Sequence, residues 1–567
     1  MRNALIAAGT LLSLMASLME PARAQAGDAA AVDDVTLLRN TVANLLEAMV
    51  KQGLLSKEAA TQLVTDAQAK AEAEGAQDAA AQAAGPGDVR VTYVPQVVRD
   101  EITREVQASV SEAVVADVKN AALVEGWGVP AALPDWVRRM NWEGEVRSRA
   151  VGIFFDDGNS TTIPDYQAIN QNGGIADLGQ AALLNTTTDE TRLQVRLLLG
   201  ATYEMTPNLL GAFSIQTGNE VNPLTRNQDL SNYGRSSALL LDEGYLSYRM
   251  RRNDDENHHL QVLAGRFANP FQTTELLWDN DLRFGGAVLR YAWNAPTYRD
   301  WHSLDGYVRP WEEPLSPRAR GVFGNVGAFQ VQNEAFSSSD KWLYVGQVGY
   351  EHAFNEQMRG SIAAGWWQYE NMTGRLNPPG SQQFDFTAPQ FLTKGNTLFD
   401  ISNDDDPLTQ RWALAAEYQV LQLNSSLTWL LNDTLQTSVV AEWAKNLGYD
   451  QDEVLARIGT ASASLVPDRE RSTAYRVEWR IGWPTVVTPL AWRVTAGYTY
   501  TQRDALIDAF VDGNVRRGGT DAEGFILAGE LGIARNSWLR VRYFTADEID
   551  GPPLGIDVLQ LDWFGQF

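Results

Sequence analysis

The sequence predicts an all-β transmembrane protein: an antiparallel up-and-down barrel of about 16 strands, with about 18 as the alternative, preceded by a small α-helical segment. Three observations predict it. From Trp142 onward, apolar and polar residues alternate with period two through many long segments. Aromatic residues are abundant, with 18 Trp, 18 Tyr and 19 Phe beside 46 Gly, and Trp and Tyr gather where an apolar surface meets water. The mean hydropathy is nevertheless -0.27. A barrel reconciles these facts, because only its lipid face is apolar.

The chain opens with an export pattern. Met1-Arg2-Asn3 is a short basic start, Ala4 to Met19 is uncharged and mostly apolar, and Ala22-Arg23-Ala24 is an A-x-A cleavage site. Residues 1–24 therefore read as a signal peptide cut between Ala24 and Gln25, with an uncleaved anchor as the alternative. After residue 24 no run of about 18 apolar residues follows, so a membrane span must be made of strands.

Residues 25–66 carry Leu37, Leu38, Val42, Leu45, Leu46 and Met49 at helical spacing, then Gly53 as a stop and Ser56 as the N-cap of a second helix through Leu63 and Val64. They predict a helical hairpin. Residues 67–90 are an Ala/Gln/Gly-rich linker. Residues 91–140 form a second helical segment, in which Val98, Ile102, Val106, Val110 and Ala113 share a face. Ser109 and Asn120 break the heptad, so a coiled coil and a helix packed on its neighbours both remain open. Pro130 and Pro134 end it. The barrel is expected over 141–567.

Within the barrel, Trp142, Val146, Ala150 and Phe154 alternate with Glu143, Glu145, Arg147 and Arg149. The same period recurs at 192–199, 411–418, 475–481, 492–500 and 539–543. Strands are expected at 142–155, 190–204, 209–218, 239–251, 259–267, 283–292, 321–332, 342–352, 359–370, 410–420, 435–446, 473–482, 490–503, 522–534, 537–547 and 556–567. Leu423 to Leu431 and an extra segment at 293–320 leave room for more. Short turns such as Thr206-Pro207-Asn208, 252–257 and Arg535-Asn536 alternate with long loops near 156–189, 371–408 and 504–521, the asymmetry of outer-membrane barrels. Leu559, Leu561, Trp563 and Phe567 form one face of the last strand, a dyad ending in a terminal aromatic, like the β-signal read by barrel assembly machinery.

The formal charge of -25 argues against a nucleic-acid partner, which needs a basic footprint. There is no cysteine and there are 4 His, so thiolate chemistry is excluded and no metal or cofactor site is expected. No motif seeds an enzyme, and no catalytic residues are assigned. Asp404-Asp405-Asp406 reads as a solvated acidic loop before a cation site, and His258-His259 as a polar turn. By strand parity Arg147, Arg149, Arg192, Arg196, Arg249, Arg476, Arg480, Arg493, Arg540 and Arg542 point inward, with Glu143, Glu145, Glu243, Glu417, Glu442 and Glu478. The arginine excess predicts a modest anion preference if the interior is wet. Asn269, Pro270, Phe271, Trp278, Asp279, Asn280 and Asp281 sit between two strands on the long-loop side. They make either a constriction or a structural loop closed by Asn and Asp bonds to its own backbone.

Four stretches together resemble the putative porin family of Gram-negative outer-membrane proteins. They are Val91-Thr92-Tyr93-Val94-Pro95 with Arg99-Asp100-Glu101-Ile102; Leu133-Pro134-Asp135-Trp136 with Gly144-Glu145-Val146-Arg147; Gly265-Arg266-Phe267-Ala268-Asn269-Pro270-Phe271 continuing to Leu277-Trp278-Asp279-Asn280-Asp281-Leu282; and Glu548-Ile549-Asp550-Gly551-Pro552-Pro553-Leu554 with Leu559-Gln560-Leu561-Asp562. The resemblance implies passive diffusion of small hydrophilic solutes or ions through a water-filled lumen. It implies residence in the outer membrane, among lipid and lipopolysaccharide, with the helical segment in the periplasm. A homotrimer is one expected assembly. A plugged barrel serving structure or adhesion, an outer-membrane enzyme and a soluble secreted β-protein are the rival readings.

Overall fold

A computed structural model describes residues 139–567, apart from 219–220, 232, 235, 251–256, 296–319, 335–337, 405 and 460–469. The expected signal peptide, hairpin and linker, and the helical segment up to residue 138, lie outside the described residues, as do most of the extra segment at 293–320 and of the turn at 252–257; the last residue of the expected helical segment, Met140, instead opens β1.

The strands in order are β1 (Met140–Phe155), β2 (Glu190–Thr206), β3 (Leu209–Thr217), β4 (Gln228–Asp229), β5 (Leu239–Met250), β6 (His258–Phe267), β7 (Phe284–Trp293), β8 (Arg320–Gln332), β9 (Lys341–Asn355), β10 (Met358–Glu370), β11 (Leu398–Asp400), β12 (Trp412–Leu414), β13 (Gln419–Leu430), β14 (Gln436–Asn446), β15 (Thr473–Gly482), β16 (Trp492–Thr501), β17 (Ala522–Ala534), β18 (Ser537–Glu548) and β19 (Ile556–Gln566). Two short helices, α1 (Tyr166–Asn172) and α2 (Gln451–Ile458), lie in long loops. The main sheet has 17 hydrogen-bonded segments. Setting aside β4, a two-residue strip laid on β2, sixteen antiparallel strands form the wall. Each pairs with its chain neighbour in the wall, and β19 returns to β1 from Glu145↔Gln566 to Phe155↔Ile556, which closes the barrel. Closure leaves no unpaired strand edge, as a spanning sheet requires.

The period-two pattern becomes two faces. Trp142, Val326, Val348, Ile362 and Trp563 are exposed by 51% or more outside, an apolar surface extensive enough to mark an interaction face. Aromatic residues on this face form two belts. Trp142, Tyr291, Trp293, Phe354 and Trp563 lie toward the short turns, and Phe154, Tyr344, Trp366 and Tyr475 toward the long loops. The short turns are closed by side chains. Thr206 Oγ1 accepts from Leu209 N (3.0 Å), and Asn355 Oδ1 from Gln357 N (2.8 Å). Asn536, at φ 57°, takes the left-handed position of the β17–β18 hairpin.

One expected strand is misplaced. Of residues 410–420 only Gln419 and Val420 enter the wall, as the start of β13; β12 pairs with β11 in a separate two-stranded piece. The wall strand there is β13, at the place left open as an extra strand. The physical reason is burial on both sides. Ala413, Leu414, Ala415, Ala416 and Tyr418 are all buried, so this apolar run belongs to a loop core and its alternation has no lipid to meet. Glu417, expected to face inward, is exposed 3.7 Å from Arg457. β13 escaped notice because its inner face, Gln422, Asn424, Ser426 and Thr428, is polar without charge.

Candidate functional site

The interior is divided. Strands β6 to β14 send many apolar side chains inward, among them Leu263, Phe267, Phe323, Phe329, Leu343, Val345 and Trp367, all buried. Bare in water they would cost free energy. The loop between β6 and β7, residues 268–283, covers them. Phe271 lies 5.3 Å from Trp367, 5.6 Å from Phe284 and 6.0 Å from Phe329, ring centre to ring centre. Trp278 stacks between Phe284 (4.1 Å) and Phe510 (5.0 Å).

The loop is also tied to distant strands by hydrogen bonds. Gln272 Nε2 donates to Ser361 Oγ on β10 (3.0 Å) and Asn424 Oδ1 on β13 (2.7 Å), while its backbone N donates to Gln347 Oε1 on β9 (2.9 Å). Thr274 N and Oγ1 both donate to Glu442 Oε2 on β14 (2.8 and 2.5 Å). Within the loop, Asn269 Oδ1 accepts from Phe271 N and Asp279 Oδ1 from Asp281 N. Pro270 carbonyl accepts from Asn325 Nδ2 (3.5 Å), and Asn280 carbonyl from Arg226 and Arg283 (3.2 Å each).

A β-bulge anchors the other end. Ser214 pairs with Glu243 and Ile215 with Leu241, so Asp242 is the extra residue and two adjacent acids turn inward. Arg283 binds Asp242 (3.0 Å) and Glu243 (2.6 Å), and Arg226 reaches Asp242 (3.8 Å) and Asp281 (3.6 Å). Gly265, at φ 129°, sits against the Gly244 carbonyl, where a Cβ would come within 2.3 Å.

A second loop, 502–521, joins the first. Asp279 Oδ2 accepts from Gly513 N (2.7 Å), and Arg476 holds both loops, reaching Glu275 (3.8 Å) and Asp512 (2.9 Å). Burial, then the charges of Asp281, Glu275 and Asp512, drive the Asp279 carboxyl well above the usual range. Burial acts on Asp281 in the same sense, yet Arg226, Arg196, Arg147 and Arg149 outweigh it and hold that carboxyl low. The loop therefore presents a fixed negative charge at Asp281 toward the arginines of the facing wall.

That wall, β15 to β19 with β1 and β2, is charged. Arg149 binds Asp562 through two bonds (2.5 and 3.2 Å), and Arg540 binds the same carboxylate (3.0 Å). Arg196 lies 3.7 Å from Glu145, Arg493 2.6 Å from Glu530, Arg480 2.5 Å from Glu478, and Arg192 2.5 Å from Glu190. Arg147 donates to Asn227 Oδ1 (2.6 Å). Arg249 is half-buried on the inner side of β5. Asp562, Glu530, Asp512, Arg226 and Arg283 were not singled out from the sequence. Parity would have found Asp562, which alternates with Leu561 and Trp563, whereas Arg226, Arg283 and Asp512 lie in loops and carry no periodic signal. Leu559, Leu561, Trp563 and Phe567 all lie on the outer face. Asp404 Oδ2 accepts from Thr409 Oγ1 (2.7 Å), and His258 Nδ1 lies 2.7 Å from Tyr291 Oη.

The family model described as putative porin matches residues 39–567. The chain belongs to the putative porin family. As a putative porin it is a β-barrel of the outer membrane. No curated protein matches it. Among the solved structures similar to this porin are Pseudomonas putida OprB at high pH (10% identity, TM-score 0.41, covering 76% of this chain and 96% of that one) and the outer-membrane channel DcaP of Acinetobacter baumannii (12%, 0.35, 76% and 97%). Salmonella typhi OmpF in complex with daunomycin is a third (11%, 0.38, 76% and 97%).

Proposed function

We propose that this porin lets small hydrophilic solutes or ions diffuse passively through its lumen, with a modest preference for anions. The observation that carries this reading is the unequal division of the interior. The 268–283 loop packs against β6–β14 and leaves the arginine-bearing wall of β15–β19, β1 and β2 as the polar side. In this reading Arg147, Arg149, Arg192, Arg196, Arg249, Arg476, Arg480, Arg493, Arg540 and Arg542, with Glu478, line the path, and the loop narrows it. Charges of both signs facing each other set up a transverse field that orders ions by sign. The helical segment before the barrel would stand in the periplasm after signal cleavage, and the outer belts would meet lipid and lipopolysaccharide. A homotrimer belongs to the same reading.

The test is single-channel conductance of the detergent-purified protein in a planar bilayer. Stepwise openings that scale with salt, and a reversal potential of anionic sign in asymmetric KCl, are expected. A cationic reversal potential overturns the preference. A heat-modifiable barrel that never conducts overturns the pore.

One observation favours the plugged-barrel alternative in that event. The outer loops bridge one another: Tyr166 meets Trp412 edge-on at 4.8 Å, Asn170 Nδ2 donates to the Trp412 carbonyl (2.8 Å), and Ile175 N donates to Leu408 O (2.9 Å).

A further inference from the structure

The charged wall is built in rows across the strands, and two adjacent rows differ in kind. One row reads Arg493, Glu530, Arg540, Asp562, Arg149 from β16 to β1, each residue the register partner of the next. Signs alternate, and every arginine has a carboxylate on a neighbouring strand. The next row toward the long loops reads Arg480, Thr495, Ala528, Arg542, Gln560 from β15 to β19. It contains no acid.

Arg542 is the exception this creates. Its register partners are Ala528 and Gln560. Its Nε is buried without a hydrogen-bond partner, and among the described residues it forms no ion pair. Its guanidinium lies 5.3 Å from the Phe544 ring centre, which holds it flat against the wall. Asp562 and Glu275, whose charges it feels, are bound to Arg149 and Arg540 and to Arg476. On one side its row continues through Ala528 and Thr495, both small. On the other, Gln560 donates to Asn514 Oδ1 (3.0 Å) while its Oε1 is buried without a partner. A guanidinium and an amide oxygen, both incompletely bonded, thus stand side by side. A buried charge left so is unfavourable unless a ligand completes it.

We propose that Arg542, Gln560, Ala528 and Thr495 form a binding site for a small oxyanion that also carries a hydroxyl, such as hydrogen phosphate. The anionic oxygens accept from the guanidinium fork, as the Asp562 carboxylate does from Arg149 one row away. The hydroxyl donates to Gln560 Oε1. The small floor of Ala528 and Thr495 sets the size limit. The site rests on the porin reading in that solutes reach it through the lumen, and it names the class of solute that pauses there.

The experiment is calorimetric titration of the detergent-purified full-length protein with inorganic phosphate at low, constant ionic strength. Saturable binding is expected, weakened about tenfold or more by Arg542→Gln. Among the described residues the Arg542 side chain has no hydrogen bond or ion pair to lose, so this variant should fold normally, as heat-modifiable migration will verify. Ala528→Leu fills the floor without changing charge and should weaken binding as well, whereas Arg457→Gln on outer helix α2 should not. Absence of saturable phosphate binding, or unchanged binding in both Arg542→Gln and Ala528→Leu, overturns the site. Binding is read without conduction. A conducting barrel that ignores phosphate keeps the pore and loses the site; a barrel that binds phosphate but never conducts does the reverse.

Discussion

Asp508 shows how much a single residue in the loops controls. Its Oδ2 accepts from Thr393 N (2.7 Å), its carbonyl from Thr393 Oγ1 (2.9 Å), and its Oδ1 is buried without a partner. Burial pushes its carboxyl up to about 7, against the pull of the Thr393 bonds and of the Lys394 charge. An unfolded Asp releases its proton near pH 4, so between roughly pH 4 and 7 the folded state holds the extra proton. Stability therefore falls as pH rises through this window, the reverse of an ordinary ion-paired Asp. Melting of the purified barrel should be higher at about pH 5 than at about pH 8, by on the order of 2 kcal/mol from this group. Asp508→Asn keeps the acceptor for Thr393 N and cannot ionise. It should raise the melting temperature at the higher pH and shrink the difference; a difference of unchanged size would show that the dependence lies elsewhere.

At the scale of elements, the 268–283 loop decides what the interior is. Its hydrophobic anchor is Phe271, fully buried among Trp367, Phe284 and Phe329. Phe271→Ala should cost about 3–5 kcal/mol through the cavity it leaves, read as a lower heat-modification temperature. It should also raise the open-channel noise, because the loop loses its anchor on the apolar wall. Unchanged stability would mean that the hydrogen bonds of Gln272 and Thr274 hold the loop unaided. This loop also marks what the sequence revealed. Period two exposed the wall strands because lipid on one side and polar groups on the other impose opposite demands on alternate residues. The same rule misplaced 410–420, whose Leu414 and Tyr418 are buried in a loop core where alternation means nothing. Inward arginines such as Arg149 and Arg540 followed from parity. The carboxylate partner of Arg149, Asp562, comes from the other end of the barrel sequence, and no local pattern records such a pairing.

At the scale of the whole barrel, everything depends on the first strand meeting the last. The closing contact at the short-turn end is Gly144 with the terminal residue. Gly144 N donates to Phe567 O (2.9 Å), and Phe567 N returns a bond to Gly144 O (3.0 Å). The Phe567 ring folds back over Gly144 on the outer face, so near that a Cβ there would come within 2.3 Å of a ring carbon. The glycine is thus a socket for the terminal aromatic, and the seam is sealed by backbone and ring together. Gly144→Val should disrupt the seam at a cost of about 1–3 kcal/mol, the usual range for overpacking, and lower the yield of heat-modifiable barrel on refolding into detergent. Removing the ring tests the mechanism directly. In the Gly144→Val/Phe567→Ala double variant the clash is gone, so the second change should cost less than Phe567→Ala does in the parent, or even restore yield. Strictly additive losses would show that the glycine is needed for its backbone and not for the ring it receives.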